Sequence, residues 1–161
     1  MSIFLCCNAG KDNFKAEQHY SETQRYLFQL LDNYKAEYFD SKLLEEKETV
    51  RSKFQSKIQY FLVDSLDRSI DSILVSVDTV INDNWLVTTQ FHTNDIEFKY
   101  GMKFQEDMPP KFDSLYKFMI GLQAGKEVTV DFVLLGGVEL YLPDNKTQKI
   151  LRIFAYPSPS E

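Results

Sequence analysis

The sequence is poor in the residues that build redox, metal and acid–base sites. Its two cysteines are neighbours, Cys6 and Cys7, and a bond between adjacent cysteines is strained, which excludes a disulfide framework. Only two histidines occur, His19 and His92, so a zinc or catalytic site would have to draw on distant carboxylates. No phosphate loop, dinucleotide fingerprint or nucleophile elbow is present in the sequence. We therefore expect a protein that is not an enzyme and uses no metal or cofactor.

Positive charge is also scarce. The chain has 18 Lys and Arg against 24 Asp and Glu, a net charge of −6. The excess lies in the second half, where residues 71–161 have 8 basic against 13 acidic side chains, compared with 10 against 11 in residues 1–70. A surface that binds polyanions needs clustered Lys or Arg. The charge therefore disfavours nucleic acid as a partner and favours a protein.

Long apolar runs are missing as well. No stretch approaches the roughly 18 apolar residues of a membrane-spanning helix, so we expect no membrane span and a cytoplasmic protein. Residues 3–9, followed by Gly10, resemble the end of a secretory signal peptide, although they lack a basic start and their apolar core is short. Residues 1–14 are therefore interpreted as a flexible N-terminus or as a signal remnant, which leaves a periplasmic or exported protein as the alternative.

Apolar residues at helical spacing predict two helices within residues 15–66. The stripe of the first helix consists of Tyr20, Leu27, Leu30, Leu31, Tyr34 and Tyr38. A second helix is expected after Asp40 or Ser41, either of which offers a capping oxygen. Its stripe consists of Leu44, Val50, Phe54, Ile58, Phe61 and Leu62. The two helices are joined by a short turn, which predicts an antiparallel helical hairpin.

Alternating apolar residues predict five strands within residues 67–156. They are expected at about residues 73–81, 85–91, 96–104, 128–135 and 150–156. The segment 82–84, Asn-Asp-Asn, predicts the turn between the first two strands, because these residues tolerate positive φ. The pair Gly136 and Gly137 indicates a bulge or a sharp corner in the fourth strand. Residues 157–161 are expected to form a loose tail.

One further helix is predicted between the third and fourth strands. Its buried stripe consists of Phe112, Leu115, Tyr116, Met119 and Leu122. Asp113 and Ser114 offer capping oxygens near its start, and Gly125 offers the left-handed residue that ends many helices.

This order of three strands, a helix and two strands resembles the OB fold, over about residues 70–156. More narrowly, Leu115 and Leu122 followed by the segment 125–130, Gly-Lys-Glu-Val-Thr-Val, resemble a pattern in small uncharacterised bacterial proteins of OB type. The resemblance implies an α+β fold in which the N-terminal helical hairpin packs on a five-stranded antiparallel barrel. It implies no activity.

OB barrels commonly bind oligonucleotides or oligosaccharides on the outer face of strands two and three. Alternation points Trp85, Val87, Phe91, Phe98 and Tyr100 into the barrel. It leaves on the outer face Leu86, Thr88, Gln90, His92, Glu97 and Lys99. Those six residues include no aromatic ring on which a base could stack. A single-stranded nucleic-acid binder is therefore the alternative to a protein-binding module.

The tyrosines of the first helix are the candidate partner contacts. Tyr20, Tyr26, Tyr34 and Tyr38 are amphipathic and could dock a protein or a second copy of this chain. Their other role would be to pack the helices on the barrel. An exported accessory or immunity-type protein is a special case of the same function.

An enzyme is the third hypothesis. Its site could lie at the Gly136–Gly137 corner, or it could use His92 with the nearby Asp95 as an acid–base pair. The simpler interpretation of His92 is an exposed histidine at the end of a strand.

Overall fold

The computed structural model describes residues 20–106 and 109–159, without the side chains of Lys111 and Pro159. In chain order its elements are α1 (Glu22–Asp40), α2 (Leu44–Tyr60) with a π-helical turn (Phe61–Ser65), β1 (Ser69–Asp83), β2 (Leu86–Thr93), β3 (Ile96–Lys103), α3 (Pro110–Gly121), β4 (Glu127–Leu140) and β5 (Leu151–Pro159). The strands form a closed barrel in the order β1-β2-β3-β5-β4. The predicted α+β class is confirmed, with a helical pair, a five-stranded barrel and a helix between strands 3 and 4.

The barrel is mixed and not purely antiparallel as expected. β1 pairs antiparallel with both β2 and β4, and β2 pairs antiparallel with β3. β4 also pairs antiparallel with β5. Counted around the barrel, these directions make β5 run the same way as β3, and the two pair in parallel. With this strand order, closure itself requires one parallel pair.

Three aromatic rings fill the barrel interior. Phe98 stacks on Phe132 with ring centroids 4.1 Å apart, and Phe91 meets Phe132 edge-on at 5.4 Å. All three side chains are fully buried, as is Val87. The predicted inward orientation of Val87, Phe91 and Phe98 is therefore confirmed. Pairs of this geometry add about 0.5–1.5 kcal/mol each beyond the burial of their area.

The predicted inward orientation of Trp85 is wrong. Trp85 is 46% exposed, because the turn between β1 and β2 is formed by Asn84 and Trp85, which have φ of 47° and 68°. Trp85 therefore precedes β2, and the alternation of that strand does not apply to it.

The helix ends differ from the predicted ones. α1 begins at Glu22, where Ser21 Oγ accepts from Gln24 N at 3.2 Å, and residues 15–19 of the predicted helix lie outside the described chain. Neither Asp40 nor Ser41 caps α2. The Glu46 carboxylate does so, because it accepts hydrogen bonds from the backbone N–H groups of the two residues that precede α2, at 3.0 and 3.1 Å.

The predicted caps of α3 have other roles. Pro109 precedes the helix without a side-chain cap. Asp113 forms an ion pair with Lys117 at 2.8 Å, and Ser114 Oγ donates back to the carbonyl of Pro110 at 3.4 Å. The helix ends at Gly121, and Gly125 lies in the following turn with φ of +80°. Gly125 is therefore a turn residue before β4 and does not end the helix.

β5 extends into the segment that was expected to be a loose tail. Pro157, Ser158 and Pro159 pair with β4 residues 130–132, while residues 160 and 161 lie outside the described chain. Beyond Phe154, β5 has a neighbouring strand on one side only. A proline is tolerated there, because its missing N–H need not serve a second neighbour.

The helical hairpin is joined to the barrel by hydrogen bonds as well as by apolar packing. The buried Gln24 amide donates to Leu74 O and to Thr93 Oγ1, each at 2.8 Å, and accepts from Leu74 N at 3.1 Å. The pairing of β1 with β2 ends at Ser76 and His92. Beyond this point the Gln24 amide bonds to the backbone of Leu74 of β1, as a neighbouring strand would.

The glycine pair of β4 lies at a second attachment point. The register of β4 against β5 shifts between Leu134 and Val138, in agreement with the predicted bulge at Gly136 and Gly137. Within this irregular stretch the backbone N–H of Val138 donates to Gln59 Oε1 of α2 at 3.2 Å.

Replacing Gln24 by alanine should destabilise the protein by about 2 kcal/mol, because it leaves the backbone groups of Leu74 and the Thr93 hydroxyl without their partner. Urea unfolding of wild type and variant measures the difference. Gln29→Ala, on the exposed side of the same helix, is the control and should cost less than about 0.5 kcal/mol. Equal stability of the two variants would contradict the role given to Gln24.

Candidate functional site

The barrel opens where β3 and β5 separate. The two strands pair only over Ile96–Lys99 and Leu151–Phe154. β3 then continues beside β2 as far as Lys103, and β5 continues beside β4 as far as Pro159. The opening holds a groove of about 750 Å³, the β3–β5 groove, lined by Tyr100, Met102, Phe112, Ser114, Leu115, Leu135, Tyr156, Pro157 and Ser158.

Helix α3 forms one wall of this groove. Its apolar stripe packs on the barrel in a cluster with Val87, Phe104 and Met119 at the centre. Phe112 and Leu115 belong to the edge of this cluster and also line the groove. The stripe that fixes α3 on the barrel therefore also places two apolar side chains at the site.

The described lining of the groove is uncharged and largely apolar. Among its described lining residues none carries a charge, and the polar groups are the hydroxyls of two tyrosines and two serines. Tyr100 donates to Met102 Sδ at 2.9 Å, and its ring lies 6.1 Å from that of Tyr156. Burial, and then the neighbouring Tyr156, raise the pKa of Tyr100, so its hydroxyl stays neutral. The volume lies within the roughly 300–1,000 Å³ of ligand pockets.

The second flank of α3 also exposes large apolar side chains. Trp85 stacks on Tyr116 with ring centroids 5.3 Å apart and an interplanar angle of 30°. Ile81, Leu86 and Ile120 are each more than 40% exposed. A tryptophan with positive φ is strained, because its Cβ crowds the backbone. This exposed ring is therefore held in its place by the turn and by Tyr116.

The predicted outer-face residues lie where alternation places them. Leu86 is 47% exposed, and Thr88, Gln90, His92 and Lys99 are half-buried, between inward residues of the same strands. His92 Nδ1 lies 2.5 Å from Asp78 Oδ1. Asp95, the expected partner of His92, instead binds Lys35 at 3.0 Å. Ligand binding by this face stays a prediction.

The outer face has one aromatic ring that the sequence reasoning missed. Phe154 of β5 is the register partner of Lys99 and is half-buried. Beside it, Arg152 Nε donates to Glu97 at 2.6 Å, and Arg152 Nη1 donates to Tyr141 Oη at 2.7 Å and to Glu139 at 3.5 Å. The sequence indicates that Phe154 and Arg152 face outward, because they alternate with buried residues. Only the closed topology shows that β5 lies beside β3.

The four candidate tyrosines of the first helix differ in exposure. Tyr34 is 0% and Tyr38 is 2% exposed, and their hydroxyls donate to Tyr141 O at 3.1 Å and to Asp144 Oδ2 at 3.2 Å. Tyr20 is half-buried. Tyr26 is 44% exposed. Tyr34 and Tyr38 therefore pack the hairpin on the barrel, and Tyr26 is the one whose ring reaches the surface.

A further apolar surface, which was not predicted, lies where α1 turns into α2. Phe39, Leu43 and Leu44 are 59%, 61% and 73% exposed. They project from the end of the hairpin, beyond the contact of Tyr38 with Asp144.

Two other features are absent from the described residues. Across residues 20–106 and 109–159, no group of three or more His, Cys, Asp or Glu side chains is arranged to hold a metal ion. No helix within these ranges has the length and apolar character that crossing a membrane requires.

Comparison with known proteins gives little similarity. No protein-family model matches the chain, and no curated protein matches it. Among solved structures, it is similar to a protein described as an aspartyl-tRNA synthetase from Leishmania major Friedlin, with 10% identity and a TM-score of 0.32. The alignment covers 60% of this chain and 18% of the length of that one. A similarity at this level carries no argument about function.

The turn at Trp85 gives a test of the α3 flank. Trp85→Ala should destabilise the protein by about 1–2 kcal/mol, because the stack on Tyr116 is lost while a Cβ remains at positive φ. Trp85→Gly loses the same stack but has no Cβ, so it should be more stable than the alanine variant by about 1 kcal/mol. Urea unfolding compares the two variants. An alanine variant at least as stable as the glycine variant would refute the strained turn.

Proposed function

We propose that this protein is a non-enzymatic interaction module that binds a protein partner in the β3–β5 groove. The observation that carries the proposal is the groove itself, a concave site with an uncharged, largely apolar lining. Exposed apolar surfaces with aromatic anchors mark interaction sites. Leu135, which is 52% exposed at the groove, has no role in the barrel interior that would explain its apolar side chain.

The surroundings of the groove support a partner larger than a small molecule. α3 has the groove on one flank and the exposed Trp85 and Leu86 on the other. A stable protein interface covers about 800 Å² on each partner. A partner that rests on α3 could reach both flanks and cover an area of this order.

The proposal that the protein is not an enzyme rests on the same geometry. Among its described lining residues, the groove brings no acid, base or charged group together. His92, the described histidine, lies on the outer face in contact with Asp78. From the sequence, the partner is expected in the cytoplasm, with an exported complex as the alternative. The partner is a different protein or a second copy of this chain.

Site-specific photo-crosslinking tests the proposal. A photoreactive amino acid at position 135 should cross-link a discrete partner in cells that express the protein, whereas the same residue at position 43, in the turn between α1 and α2, should not. With the purified partner, Leu135→Glu should weaken binding at least tenfold, because it places a charge in an apolar contact. Leu43→Glu is the matched control, because Leu43 is also an exposed leucine, at 61% against 52% for Leu135, and it does not line the groove.

The outcomes separate the two kinds of partner. A cross-link between two copies of the chain, with a concentration-dependent mass in light scattering, identifies self-association. Equal cross-linking from both positions, or a partner whose affinity Leu135→Glu leaves unchanged, would contradict binding in the groove. Both variants are first checked by urea unfolding for wild-type stability.

Single-stranded nucleic acid is the second candidate, and one observation favours it. Phe154 lies beside Lys99 on the outer face, which combines a ring for stacking with a cation for the backbone. Against it, Glu97 and Glu139 flank Arg152 on the same wall.

A fluorescence titration with a short single-stranded DNA tests this candidate. If it is correct, affinity falls as salt rises, and Phe154→Ala weakens binding about fivefold, in line with roughly 1 kcal/mol for one stacked base. Tyr60→Ala, which removes an exposed ring of α2 away from this face, is the control. Absent or salt-insensitive binding would exclude the candidate.

A further inference from the structure

One edge of β3 is unpaired at the groove. Beyond Lys99, no strand of the described chain lies beside β3 on the side away from β2. In an antiparallel pair, successive residues direct their backbone N–H and C=O groups alternately towards the partner strand and away from it. Phe104 N donates to Trp85 O at 2.9 Å, so Phe104 and Met102 point towards β2. Gly101 and Lys103 therefore direct their backbone groups into the opening.

These backbone groups are available without rearrangement. Gly101 and Lys103 are both exposed, so water can satisfy their N–H and C=O groups until a ligand replaces it. A strand edge of this kind is a template for the addition of another extended chain. Gly101 has no side chain that could obstruct the approach.

The opposite edge is not equivalent. β5 has Pro157 and Pro159 in the segment that faces the opening. Each proline lacks the N–H that a ladder requires, which is how natural sheets protect their edges. β3 has no proline between Ile96 and Lys103. The asymmetry leaves β3 as the edge that can accept a strand.

Two lysines of β3 indicate which side chains an added strand would carry on its outer face. Lys99 and Lys103 are on the outer face of β3, and within residues 20–106 and 109–159 neither ammonium has an ion pair or a hydrogen bond. Arg152 on the adjoining strand is by contrast held by Glu97. On an added strand, a residue facing outward beside Lys103 would lie within cross-strand reach, where a carboxylate is favoured.

We infer that the partner binds as an extended segment in which apolar residues alternate with carboxylates, and that this segment adds to the β3 edge. Its backbone pairs with Gly101 and Lys103. Its apolar side chains enter the groove against Phe112 and Leu115, and a carboxylate meets Lys103. The inference rests on the proposed function and specifies the ligand of the same site.

Peptide selection tests this mode of binding. Random 12-residue peptides displayed on phage are selected on the full chain and counter-selected on the Leu135→Glu variant, so that only groove-dependent binders remain. The selected peptides should show apolar residues at alternate positions with Asp or Glu between them. Synthetic peptides are then titrated by fluorescence anisotropy against variants of the protein.

Backbone and charge contributions are measured separately. On an added strand, every second amide of the peptide faces β3. N-methylation of those amides should weaken binding at least tenfold, whereas N-methylation of the amides between them should have little effect. Lys103→Glu should weaken binding at least fivefold. Lys126→Glu, which makes the same charge change at another exposed lysine of the barrel, should change it less than twofold.

Each failure has its own meaning. Strand addition would be overturned if the groove-dependent peptides had apolar residues at spacings of three and four, and if N-methylation of neither set of alternate amides changed their affinity. The groove would still be a protein-binding site in that case. Enrichment of basic peptides, or an unchanged affinity for Lys103→Glu, would overturn the acidic ligand. If no peptide survived the counter-selection on Leu135→Glu, the groove and the inference would both be refuted.

Discussion

The short parallel seam between β3 and β5 is the contact on which the rest of the barrel depends. It consists of four residue pairs, and without it the sheet would have two free edges and no enclosed interior. Phe98 and Ile153 support the seam from inside, where both are fully buried. Glu97 and Arg152 support it from outside, with their side chains 17% and 26% exposed. The seam is therefore held by apolar packing on one face and by a charged pair on the other.

The two ends of the barrel are closed in different ways. At the end where β2 turns into β3, the helical hairpin contributes buried apolar residues together with the Gln24 amide and the hydroxyls of Tyr34 and Tyr38. At the other end α3 covers the interior with its apolar stripe, and a hydrogen bond joins Asn82 to Tyr116. The end with many directional bonds has its strands fixed, whereas the end closed by one helix leaves β3 and β5 apart.

Periodicity predicted the helices and strands, and the resemblance to the OB fold predicted the barrel, but neither predicted the site. Alternation placed Phe91 and Phe98 inside the barrel, because it reports orientation within a strand directly. It failed at Trp85, because Asn82, Asp83 and Asn84 all tolerate positive φ and several turn positions fit the same residues. The groove arises where β5 leaves β3, a register between residues more than 50 positions apart. No local pattern encodes that point. For the helical tyrosines the spacing was informative, since Tyr34 and Tyr38 share a stripe with Leu27 and Leu31, whereas Tyr26 does not.

Trp85 is the single tryptophan of the chain, and its indole rests on a residue of α3. Tryptophan emission, excited at a wavelength that tyrosine does not absorb, therefore comes from one half-exposed ring, whose surroundings depend on the position of that helix. Any displacement of α3 from the barrel would change the polarity around the indole and shift its emission wavelength. The native chain thus contains its own optical reporter for the helix that borders the groove, and no label has to be attached.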